Sequence, residues 1–78
     1  MNWRDYIEEN PKILGGKPIF KGTRLSVELV LERLAAGETN EEMLHQYPTL
    51  KPEHIRAACG YAATRLSLTR SVLFDEAI

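Results

Sequence analysis

Apolar residues recur along the middle of the chain with a helical period. After Ser26, residues Val27, Val30, Leu31, Leu34 and Ala35 fall on one face, with Glu28, Glu32 and Arg33 off it. Ser26 offers an N-cap oxygen, and Gly37 can take the left-handed conformation that closes a helix. A second helix is predicted near Asn40, because Thr39-Asn40-Glu41-Glu42 has capping-box form. It carries Met43, Leu44 and Tyr47 inward and stops by Tyr47, since Pro48 disfavours helical backbone in the residue before it. Thr49-Leu50-Lys51 makes a turn, and Pro52 suits the first position of a third helix.

In that third helix Ile55, Ala58, Cys59, Ala62 and Leu66 form the expected core stripe, which places Cys59 inside. Ala57, Gly60 and Thr64 lie on the opposite face and are all small. Glycine in a helix interior costs about 1 kcal/mol relative to alanine, so something is expected to approach the backbone at Gly60. Past Leu66 the pattern weakens, and the tail carries Leu68, Val72, Leu73 and Phe74.

Before the first helix the period changes. Lys12-Ile13-Leu14 and Lys17-Pro18-Ile19-Phe20 flank Gly15-Gly16, which predicts two short strands around a tight turn. Pro18 cannot donate to a ladder, so its strand lies at an edge. A lone two-stranded ribbon is marginal in water. The ribbon therefore pairs with a second copy or packs on the helices, and the first expectation is that Ile13, Leu14, Ile19 and Phe20 form a contact between two copies of the chain. The predicted fold is mainly α, a three-helix helix-turn-helix behind a short N-terminal β-hairpin arm, with the arm over 1–25, the helical unit over 26–66 and the tail over 67–78.

A chain of 78 residues is a single domain that buries only roughly 60% of its unfolded surface, so its stability needs a supplement. One cysteine excludes an internal disulfide, and two histidines with no ligand partner at suitable spacing argue against a metal site. Self-association is the supplement that remains. Neither a leader-like start nor a run of about 18 apolar residues is present, and a cytoplasmic location is expected.

The net charge of −1 argues against a nucleic-acid binder held by bulk electrostatics alone, but the charge is unevenly distributed. Residues 10–25 carry +4 from Lys12, Lys17, Lys21 and Arg24, whereas residues 26–50 carry −4. Residues 51–70 return to +3 through Lys51, Arg56, Arg65 and Arg70 against Glu53. Two basic segments thus bracket an acidic one.

The glycines and lysines of 15–23 lack the G-x-x-x-x-G-K-[ST] order of a phosphate loop. Ser26, Ser67 and Ser71 have no base beside them, and no carboxylate pair sits in an apolar setting. No enzyme activity and no cofactor are expected. The short helix from Asn40, the turn and the helix from Pro52 have helix-turn-helix proportions. That arrangement sets Lys51, His54 and Arg56 at the DNA, with Arg56 able to read guanine and Lys51 to hold phosphate, and with Lys21 and Arg24 supporting on phosphate.

The runs Ile13-Leu14-Gly15-Gly16-Lys17-Pro18 and Lys21-Gly22-Thr23-Arg24 are followed by Leu34-Ala35-Ala36-Gly37, Tyr47-Pro48-Thr49-Leu50 and Ile55-Arg56-Ala57-Ala58. Together they resemble a widespread prokaryotic domain-of-unknown-function family, over residues 7–63. The GGKP and KGTR strings are specific to that family rather than to a function. Ser26 stands where a proline is common, and Lys51-Pro52-Glu53-His54 stands where a threonine and a Glu-Asp pair are usual. The resemblance implies a homeodomain-like helical fold and, for some members, an antitoxin that neutralises a PIN-like ribonuclease toxin and represses its own operon. On that reading Leu68, Val72, Leu73 and Phe74 face the toxin, and the partners are a second copy, the toxin and operator DNA, with no membrane. The alternative is a protein-interaction or dimerisation module without nucleic-acid affinity, in which the Ala57, Gly60 and Thr64 face receives a partner helix.

Overall fold

Local capping chemistry sets the three helices. The computed structural model describes residues 1–73, with side chains through Ser67. Helix α1 runs Val27–Ala35, and its Ser26 hydroxyl accepts the Leu29 N–H at 3.0 Å. It ends in a Schellman motif: Glu38 N–H donates to the Arg33 carbonyl, Gly37 N–H donates to the Leu34 carbonyl, and Gly37 takes φ +89°. Helix α2 spans Asn40–Gln46 behind the reciprocal bonds of Thr39 and Glu42. Those bonds from Thr39 hold the Glu42 carboxyl below its ordinary value. Helix α3 begins at Pro52 and runs to Leu73, about 33 Å at 1.5 Å per residue. It therefore extends past the point where the apolar pattern fades.

The strand pairing differs from the expected hairpin. Strand β1 is Ile7–Glu9 and strand β2 is Pro18–Phe20, antiparallel with Ile7 opposite Phe20, Glu8 opposite Ile19 and Glu9 opposite Pro18. Residues 12–14 form no strand, because Asn10 coils the chain there. Its side-chain oxygen accepts Lys12 N–H at 2.9 Å, and its carbonyl accepts Ile13 N–H at 2.9 Å. A 3-10 turn follows at Leu14–Gly16, with φ of +49°, +64° and +86°. Three successive left-handed residues turn the backbone away from any ladder. The glycine pair thus serves a longer loop rather than a two-residue turn.

Ile7, Phe20, Val27, Val30, Met43, Leu50, Ile55, Ala57 and Ala58 make the core, so the strands and all three helices share it. Ile19 and Phe20, expected at a contact between copies, are both 0% exposed within a single copy. Neither is available to a second chain. Of that set only Ile13, half-buried, and Leu14, exposed, reach the surface.

The buried side of α3 is also rotated from the expected one. Ala57 joins Ile55 and Ala58 in the core, whereas Cys59 is exposed and Leu66 is 67% exposed. The cause lies near the N-terminus. Trp3, in a 3-10 turn over Trp3–Asp5, lays its indole over Gly60 and donates from Nε1 to the Thr64 hydroxyl at 3.0 Å. An added Cβ at Gly60 would stand 3.4 Å from the Trp3 ring, so the close approach expected there comes from the chain itself. The small-residue face assigned to a partner helix in the alternative reading is filled by Ala57's place in the core and by Trp3. In architecture the chain is a small mixed α/β domain: three helices and a two-stranded antiparallel pair.

Candidate nucleic-acid interface

The first turn of α3 is held by a reciprocal pair of bonds. His54 N–H donates to the Lys51 carbonyl at 2.9 Å, and Lys51 N–H donates to His54 Nδ1 at 3.0 Å. The second bond satisfies one of the backbone donors that a helix start leaves open. Leu50, buried one residue earlier, anchors the approach through its N–H to the Tyr47 carbonyl. Lys51 is thereby fixed at the helix start with its side chain in solvent.

His54 then links this turn to the strands. Its ring centroid lies 5.1 Å from that of Phe20 and 6.1 Å from that of Tyr6. Immediately after Phe20 the chain reverses through Lys21-Gly22-Thr23-Arg24. Thr23 N–H and hydroxyl both donate to the Phe20 carbonyl, at 3.0 and 2.8 Å, and Leu25 N–H donates to the Thr23 hydroxyl at 3.1 Å. Gly22 has φ +78° at the third position of this turn, as a type II turn requires. The interior residues of the KGTR string, Gly22 and Thr23, shape the turn, and the side chains of its two cations are left to solvent.

Lys21, Arg24, Lys51 and Arg56 are all exposed, and none forms an ion pair among the described residues. By contrast Lys17 pairs with Glu28, Arg33 with Glu38 and Arg65 with Glu9. The fifth residue expected at nucleic acid behaves differently. His54 is half-buried against Phe20 and Tyr6, and two residues along a helix is about 200° of rotation, so it faces away from Arg56. His54 packs against the strands, on the side of α3 away from Arg56. Sequence reasoning missed this because the Phe20 contact is not local. Leu68, Val72 and Leu73 lie on α3 with side chains outside the described residues, and Phe74 lies beyond them altogether.

Burial, and secondly the Lys51 charge, hold the His54 imidazole below its ordinary value of 6.5, with Glu53 opposing. Only the neutral ring can accept from Lys51. As pH falls below 6.5 the unfolded chain takes up this proton first, so the contribution of His54 is complete above that value. It is lost as pH falls through the lower folded value. Denaturant titrations at about pH 7.5 and about pH 5 should show a smaller loss of stability for His54→Asn, which keeps an acceptor without titrating. Equal losses in both proteins would remove this role.

Among the described residues no group of three or more His, Cys, Asp or Glu could hold a metal ion, and no helix is long and apolar enough to cross a membrane.

The sequence profile of the family described as "Protein of unknown function (DUF433)" matches residues 7–62. An "Uncharacterized protein y4eO" of Sinorhizobium fredii (strain NBRC 101917 / NGR234) is 44% identical over 73 residues, which is 94% of this chain and 33% of that protein. The chain thus spans about a third of the length of that curated relative. A crystal structure of a DUF433 member protein from Anabaena variabilis ATCC 29413 superposes with a TM-score of 0.75 at 26% identity, over 83% of this chain and 64% of that one.

Proposed function

The chain belongs to the DUF433 family, and from that premise we propose that it is a DNA-binding regulator of the antitoxin type. One observation carries the reading: the Phe20 and His54 rings meet, which brings the two basic segments of the sequence together at the start of α3. Lys21, Arg24 and Lys51 serve phosphates there, and Arg56, on the outer side of α3, reaches for a guanine edge in the major groove. Helices α2 and α3 with their connection over 47–51 supply the helix-turn-helix, in homeodomain-like fashion. The tail with Leu68, Val72, Leu73 and Phe74 is assigned to a PIN-like ribonuclease, following the family resemblance.

With a net charge of −1 the whole molecule provides no long-range attraction, so binding depends on this local patch and weakens with salt. Titration of DNA from upstream of the chain's own gene, at several salt concentrations, tests this. Lys51→Ala should reduce the salt slope by about one unit and weaken all sequences alike, whereas Arg56→Ala should cost about 1–3 kcal/mol and relax preference at one base pair. Absence of binding at low salt overturns the reading.

A further inference from the structure

We propose that the chain forms a two-fold dimer in which Leu14 of each copy enters a groove beside α1 of the other. The groove has a volume of about 530 Å³ and is open to solvent, with walls of Pro18, Val27, Leu31, Ala35 and Tyr61. Its rim carries the Lys17–Glu28 pair, at 3.0 Å, and Glu32. Leu14 sits at the tip of the adjoining loop, one turn from Lys17, whose N–H donates to the Leu14 carbonyl at 3.3 Å.

Leu14 combines a left-handed backbone with an exposed side chain. Its φ of +49° is a conformation that L-residues other than asparagine and aspartate seldom adopt. Its side chain is nonetheless left 52% exposed rather than packed. A strained turn that displays a leucine is explained if that leucine is a knob for another surface.

The second copy is the occupant because this patch is complementary to itself. A two-fold interface joins the same surface on both subunits, so knob and hole must lie side by side on one patch, as Leu14 and the groove do. Charge follows the same rule. Lys12, beside the knob, and Glu32, on the rim of the hole, are exposed and have no ion-pair partner among the described residues. Exchange of the two loops puts Lys12 of each copy against Glu32 of the other. This inference does not rest on the DNA reading.

Sedimentation of the full chain over a range of concentrations should show a monomer–dimer equilibrium. Leu14→Asn tolerates the left-handed backbone but removes the knob, and Ala35→Arg fills the hole; each should weaken the dimer by about tenfold or more with an unchanged circular dichroism spectrum. Lys12→Glu and Glu32→Lys should each weaken it, and their combination should restore it. A monomer at every concentration, a dimer indifferent to Leu14→Asn and Ala35→Arg, or a charge swap without rescue overturns the proposal.

Discussion

Phe20→Ala is expected to remove about a quarter or more of the stability of the domain. Phe20 is 0% exposed and among the largest fully buried side chains, so its truncation removes transfer energy and leaves a cavity that neighbours fill only in part. Such a change costs about 3–5 kcal/mol. A domain of 78 residues at roughly 0.05–0.15 kcal/mol per residue has only about 4–12 kcal/mol in total. The loss has a second component here. The Phe20 ring supports His54, and its carbonyl holds both Thr23 donors, so the start of α3 and the basic turn loosen together. Urea titration followed by circular dichroism measures the effect. A loss below about 1 kcal/mol would mean that the core is not organised around this ring.

Trp3→Ala has the next largest expected effect, although Trp3 lies two residues from the chain start and is only half-buried. Its ring meets Tyr61 edge-on at 5.0 Å and 84°, its Nε1–H donates to Thr64, and the Arg4 guanidinium lies 4.4 Å above it. Partial burial sets the loss below that of a core aromatic, at about 2–3 kcal/mol. For a domain of this size that lowers Tm by roughly 10–20 °C. Trp3→Phe keeps the ring and loses the indole donor, so about 1 kcal/mol separates it from the wild type. Thermal melts of the three proteins provide the check. Equal midpoints would show that the N-terminal turn is ornament.

These two residues also mark where the sequence could and could not be read. Ser26, the Thr39–Glu42 pair, Gly37 and Pro52 announce their helices because capping joins neighbours along the chain. The strands gave no such signal. Three-residue strands are too short to show a period, and Asn10, through its own turn, diverts the segment that resembled one. Cys59 continues an apolar stripe and so is expected inside, whereas Ala57 and Gly60 fall on the opposite face, where their small size suggests room for a partner. Their smallness has the opposite meaning: Ala57 is packed in the core, and Trp3 fits over Gly60. The four cations expected at nucleic acid are exposed and form no ion pair among the described residues. The role of His54 was hidden, since it depends on a ring 34 positions earlier in the chain.

The bond between Trp3 and Thr64 has a consequence in time as well as in space. Its two ends are 61 positions apart, and synthesis delivers the indole long before its acceptor. Helices α1 and α2 can be capped as soon as they leave the ribosome, because their caps are local. The N-terminal turn has no surface to rest on until α3 has emerged beyond Thr64. Packing of this small domain is therefore completed only after α3 has been made, when the Trp3 turn closes over a helix synthesised well after it.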